Sequence, residues 1–223
     1  ASNYRKDKIW LRRSRPSARE YQILLAIDDS ESMRQNDAGT VTFKTLALLG
    51  NALMQLEVGQ IGVVSFGESV QYVHPLTTPF TAQSGAQALT HFGFAQKHTD
   101  FETCLQTVIA VLAQARQRLS GAAKRAVQLA FVVSDGRIQG GRERIAKLVR
   151  DAEENNILVV LLIVDDTENP QDSILKTKVY TGKKGHLFAN YLDHYPFPYY
   201  LVIRSIQTLP EILSDTLTQW FEM

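Results

Sequence analysis

The chain is 223 residues long with net charge +1; 44% of it is hydrophobic and 21% charged. This is enough apolar material for a core and excludes disorder of the whole chain, and the length suits one large domain or two small ones. Its longest unbroken apolar run, Ile157 to Val164, is eight residues, too short for a membrane span of about 20 residues.

Charge is concentrated at the start. Residues 1–20 carry seven basic side chains (Arg5, Lys6, Lys8, Arg12, Arg13, Arg15, Arg19) against Asp7 and Glu20, so the rest of the chain is net acidic. Such an arm suits a solvated lead-in, an acidic partner or RNA contact, and Ile9, Trp10 and Leu11 within it predict partial packing on the domain. The chain does not begin with Met and shows no secretory signal pattern, so its first residue is expected to be an engineered boundary or an internal position of a longer chain. The single cysteine, Cys104, excludes an internal disulfide framework and a Cys-based zinc cluster, and fits a reducing compartment.

Tyr21 to Ile27 reads as a buried strand. Thr40 to Leu56 reads as a helix, with Phe43, Leu46, Ala47, Leu53 and Leu56 near helical spacing. Gly59 breaks it, and Ile61 to Phe66 is the next strand. Ser69 to His74 is a short strand entered through Gly67. Phe80 to Gln96 has few regular periods and reads as a loop with one helical turn. Phe101, Leu105, Val108, Leu112 and Ala115 then mark a helix that runs to Leu119. Val127 to Ser134 is an apolar strand, Arg142 to Asn155 an amphipathic helix, and Ile157 to Val164 the most strongly buried strand. Asp165 to Tyr195 reads as irregular, Tyr199 to Arg204 as a last strand, and Leu209 to Phe221 as a closing helix. One domain over residues 21–223 is expected, with irregular inserts near 67–98 and 165–198.

Strands alternating with helices imply an α/β fold, a mostly parallel sheet covered on both faces. Such sheets bind ligands beyond the carboxyl ends of their strands. The first strand runs into Asp28-Asp29-Ser30-Glu31-Ser32, where alternation lets Asp28, Ser30 and Ser32 converge. Asp135 follows another strand end, and Thr99 precedes the helix that starts near Phe101. Hard oxygen donors without imidazole or thiolate suit Mg²⁺, Mn²⁺ or Ca²⁺ rather than zinc. Two carboxylates and three hydroxyls leave an Mg²⁺ shell open. Asp and Ser are also favoured at caps and turns; it is Asp135 at a second strand end that favours the metal reading.

Asp28-x-Ser30-x-Ser32, a later Thr and Phe131-Val-Val-Ser-Asp-Gly136 together resemble the metal-ion-dependent adhesion site of von Willebrand factor A domains. The resemblance implies a three-layer Rossmann-like fold. It also implies that Ser30 and Ser32 bind the metal directly, that Asp28 and Asp135 bind it directly or through water, and that Thr99 joins when ligand binds. Thr103 is the alternative threonine. Glu31, Met33, Glu68, His98 and Arg137 are expected on a partner-binding rim.

Lys8 to Ser17, Ile27 to Met33, Asp172 to Leu175, Tyr195 to Tyr200 and Leu213 to Glu222 resemble more narrowly the C-terminal adhesion-site domain of a family of giant AAA+ ATPases that remodel large-subunit preribosomes. That resemblance implies a nuclear protein of the nucleolus and nucleoplasm. It implies a domain without chemistry of its own that binds ubiquitin-like domains of WD-repeat assembly factors. A partner Glu or Asp would complete the Mg²⁺ shell, so that motion of the rest of the ATPase chain draws the factor off the preribosomal particle. The alternatives are an adhesion domain with another protein ligand and a Mg²⁺-dependent phosphoryl-transfer enzyme with Asp28 as nucleophile. The second wants an acid two residues after the nucleophile, where Ser30 stands. His91 and His98 are seven apart and the other histidines are scattered, so no zinc spacing appears.

Overall fold

The computed structural model describes residues 21–34, 38–55, 59–119, 126–165, 173–175, 178–180, 188–193 and 195–204. The basic arm over 1–20 and the closing helix expected over Leu209 to Phe221 lie outside them.

The described elements are β1 (Tyr21–Asp28), α1 (Glu31–Arg34), α2 (Ala38–Gln55), β2 (Gly59–Phe66), β3 (Gln71–His74), α3 (Ala82–Leu89), α4 (Phe101–Arg118), β4 (Val127–Ser134), α5 (Arg142–Glu154), β5 (Ile157–Val164), β6 (Lys178–Tyr180), β7 (Phe188–Asn190) and β8 (Tyr200–Ile203). Six strands form one sheet in the order β3-β2-β1-β4-β5-β8. All its pairings are parallel except β2 with β3.

Alternate residues of these strands feed two cores. Ile23, Leu25, Ile27, Phe131, Val133 and Leu162 pack with Leu46, Leu49 and Leu53 of α2. Leu24, Ala26, Ala130, Val132, Leu161 and Ile163 pack with Phe101, Leu105, Val108 and Leu112 of α4 and with Ile145 and Val149 of α5. A strand buried on both faces has no polar positions to alternate, which is why these runs read as continuously apolar. The result is the expected three-layer α/β arrangement. Cys104 is fully buried in the second core, and burial holds its thiol far above the usual range, so it is an inert packing group. Among the described residues no helix is long and apolar enough to cross a membrane.

Chain order reverses at the centre of the sheet. From β1 the chain moves outward to β2 and β3, and from β4 it moves the other way to β5 and β8. The crevice between β1 and β4 is therefore the switch point, and Asp28 and Asp135 stand at its lip.

Two segments are more ordered than the sequence pattern predicts. Within Phe80 to Gln96, α3 makes two turns rather than one. Thr81 and Ser84 cap it reciprocally: the Ser84 amide donates to Thr81 Oγ1 at 3.1 Å, and the Thr81 amide to Ser84 Oγ at 2.8 Å. The box uses Ser where Glu or Gln is the usual signal. Gly85 obscures the period, yet a Cβ there would meet the Phe80 ring at 3.2 Å. Within Asp165 to Tyr195, β6 and β7 form a separate antiparallel pair, too short for periodicity to show.

Candidate metal centre

The loop after β1 is an extension of the sheet. The Asp29 amide donates to Phe66 O at 2.7 Å, the Gln96 amide to Asp29 O at 3.2 Å, and the Glu31 amide to Gln96 O at 2.7 Å. Ser30 and Gln96 form a parallel bridge. The segment before Thr99 is thus laid beside the Asp28–Ser32 loop. Asp29 fastens the two. Its Oδ1 accepts the Phe94 amide at 2.6 Å and its Oδ2 accepts Gln96 Nε2 at 3.4 Å. Phe94 sits at φ 48, an uncommon backbone for a bulky residue, held by this bond and by burial against Phe43 and Phe92.

Asp28 ends β1 with no exposed surface. Its Oδ1 accepts the Ser30 amide at 3.0 Å and faces Thr99 Oγ1 at 3.5 Å. Its Oδ2 accepts Ser134 Oγ at 2.6 Å. Ser30 Oγ and Ser32 Oγ lie 3.0 Å apart. Asp135 follows β4, its Oδ1 accepting the Arg137 amide at 2.9 Å and lying 3.5 Å from Ser134 Oγ. Two carboxylates and the hydroxyls of Ser30, Ser32 and Thr99 therefore gather where β1 and β4 part. Thr103 does not join them. Its hydroxyl and amide bond the side chain of Asp100, the N-cap of α4, at 2.6 and 3.0 Å.

Burial raises the Asp28 carboxyl from its ordinary 3.8 to about 6; hydrogen bonds from Ser134 and Ser30 oppose the shift and the charge of Asp135 adds to it. Hydroxyls and an amide supply its contacts, and the charge acting on it is a second acid. A buried carboxylate beside another acid is costly unless a cation joins it. The oxygen donor set fits a hard divalent ion, and no cluster of three or more His, Cys, Asp or Glu forms an alternative among the described residues.

A pH dependence follows. A raised pKa means that this group's contribution to stability is complete below its unfolded value near 3.8 and is lost as pH rises through about 6. The loss is on the order of 3 kcal/mol in the metal-free chain. A dication favours the carboxylate and reverses it. Thermal unfolding from pH 5 to pH 8 should show a Mg²⁺-induced gain over EDTA that grows with pH. An equal gain at both ends would contradict this account of Asp28.

Of the expected rim residues, Glu31, Glu68, His98 and Arg137 are exposed, and Glu31 pairs with Arg34 at 3.1 Å. Met33 is a correction. It is fully buried in the first core, because the short helix α1 turns its one apolar side chain inward beneath the loop. Sequence reasoning missed Ser134, whose only signal is a polar residue ending an apolar strand. It also missed Asp29 and Gln96, whose partners are distant in the chain, and Tyr191 and Tyr195. The Tyr195 hydroxyl donates to Gly136 O at 2.6 Å; burial first, and then Tyr191 and Asp135, push its pKa far up.

A family model of the von Willebrand factor type A domain matches residues 22–190. The chain belongs to that family. It is similar along its whole length to two proteins called midasin, at 40% identity over 224 residues in Dictyostelium discoideum and 36% over 227 in Giardia intestinalis. It spans only 4% and 5% of those proteins, so it corresponds to one small part of a very long chain. Among solved structures, proximal thread matrix protein 1 from the mussel byssus, with a zinc-occupied MIDAS motif, superposes with TM-score 0.58 at 18% identity, covering 89% of this chain and 47% of that one. At that identity the likeness concerns the fold.

Proposed function

We propose that this domain is a metal-dependent protein-binding module of a midasin-like AAA+ ATPase. The observation that carries the proposal is the buried Asp28 carboxylate, set beside Asp135 and ringed by hydroxyls at the switch point of the sheet. In this reading Ser30 and Ser32 give hydroxyl oxygens to Mg²⁺, and Asp28 and Asp135 hold it directly or through water. Thr99 joins when a partner arrives. A Glu or Asp of the partner fills the remaining position, and its charge meets a dication with an open shell in a partly dry site, where attraction is far stronger than on an open surface. The exposed Glu31, Glu68, His98 and Arg137 form the rim.

The partners proposed are ubiquitin-like domains of WD-repeat factors on the nuclear large-subunit preribosome. The rest of the ATPase chain would supply the force that removes them. The similarity to midasins supports this placement. A phosphoryl-transfer role for Asp28 is disfavoured, because Ser30 stands two residues on, where that chemistry wants a second acid.

Changing the partner's acidic residue tests the contact itself. Glu→Asp withdraws the carboxylate by one methylene from a fixed ion and should weaken binding about tenfold or more, since small misplacements at a rigid centre are costly. Glu→Gln should abolish Mg²⁺-dependent binding. Unchanged affinity in both, measured by calorimetry, would rule out coordination by that residue. Turnover of a phosphoester in Mg²⁺ would instead revive the enzymatic reading.

A further inference from the structure

The loop that carries Asp135 is bonded both locally and from a distance. Between β4 and α5 it has no regular structure, and its local bonds include the Gly136 amide to Ser134 Oγ at 3.2 Å and the Arg137 amide to Asp135 Oδ1. Two phenols from a remote part of the chain bond it as well. The Ile138 amide donates to Tyr191 Oη at 2.5 Å, and Tyr191 Oη donates to Ile138 O at 3.2 Å. Tyr191 thus satisfies both backbone groups of one residue, as a neighbouring strand would. Tyr195 Oη donates to Gly136 O at 2.6 Å.

The phenols are themselves held. The Arg142 guanidinium lies 4.2 Å from the centre of the Tyr191 ring, and its Nη1 donates to Tyr191 O at 3.3 Å. Tyr195 packs against Tyr191, Phe197 and Tyr200 with ring centroids 6.0, 5.9 and 5.5 Å apart. Tyr191 directly follows β7, so the β6–β7 pair is tied to the metal loop through it.

We infer that Tyr191 and Tyr195 are positioning residues, which fix the backbone from Gly136 to Ile138 and thereby hold the Asp135 carboxylate where the metal needs it. This rests on the metal-centre reading of Asp135 given above. The segment after β5 then sets how well the centre takes up its cation, although none of its side chains is a ligand. Groups that orient a metal ligand without touching the metal have this effect elsewhere, at about 10–100-fold in affinity.

Tyr191→Phe and Tyr195→Phe remove one oxygen each and keep the rings. Singly and together, they are to be titrated with Mg²⁺ and Mn²⁺ in the full chain, beside the same changes in an Asp135→Asn background. The expected result is a loss of about tenfold in cation affinity that disappears when Asp135 is already Asn. An unchanged affinity, or an equal loss in both backgrounds, would overturn the inference. A wild-type chain that takes up no divalent cation would overturn the metal-centre reading and this inference with it. Hydrogen exchange of the Ile138 amide in EDTA separates the two failures. It should quicken in Tyr191→Phe whether or not metal binds, and exchange at the wild-type rate would overturn the latch itself.

Discussion

Asp28→Asn is expected to abolish Mg²⁺-dependent partner binding, a loss of at least about a hundredfold, because it removes one of the two carboxylates proposed to hold the cation, and that one is buried. The same change should not damage the fold. Asn keeps the shape of Asp, its Oδ1 can accept the Ser30 amide, and the Ser134 hydroxyl can rotate to accept from Nδ2. It also removes a buried carboxylate whose ionisation burial opposes. In EDTA near pH 7 the variant should therefore unfold at or above the wild-type temperature, while the gain from added Mg²⁺ disappears. A site that is costly without its ligand is common where function and stability compete. A large fall in unfolding temperature in EDTA would instead make Asp28 a structural residue.

Gly136→Ala is expected to act the other way, through the backbone. Gly136 stands at φ +75, and a Cβ there would lie 2.9 Å from Ile174 Cδ1, 2.9 Å from Tyr195 Oη and 3.1 Å from Ile163 Cγ2. The left-handed conformation and the overpacking together should cost about 3 kcal/mol, or roughly 10 °C in unfolding temperature for a domain of this size. The position is anchored from all sides. Ile174 is buried, and its amide donates to Asp165 Oδ1 at 2.9 Å. The Asp165 carboxylate also accepts Ser173 Oγ at 2.7 Å and Arg204 Nε at 3.2 Å. Ile174 cannot give way without breaking this network, so the Gly136 loop must shift instead and metal affinity should fall along with stability. A variant with wild-type unfolding temperature and cation affinity would show that the loop is freer than its contacts indicate.

The sheet was legible from sequence because burial on both faces leaves a plain signature. Val127 to Ser134 and Ile157 to Val164 are strands at the bounds their apolar runs suggest. The candidate centre was legible in part, because Asp28, Ser30, Ser32 and Asp135 follow strand ends and a parallel sheet places its ligands there. What escaped has a common cause. Asp29 acts on Phe94, Ser134 acts across to β1, and Tyr191 and Tyr195 act on the Gly136–Ile138 backbone. These are side-chain bonds between segments far apart in sequence, and no periodicity records them. Met33 was misplaced for a related reason: proximity to a ligand in the chain does not say which way a side chain turns. Helix α3 was underestimated because its cap is a Thr–Ser pair and its interior holds a glycine.

The most direct test of the central claim is calorimetric titration of a ubiquitin-like domain from a large-subunit assembly factor into this chain, first in Mg²⁺ and then in EDTA. Tight binding in Mg²⁺ that EDTA abolishes is expected. Binding of equal strength in both conditions would contradict a metal-bridged contact.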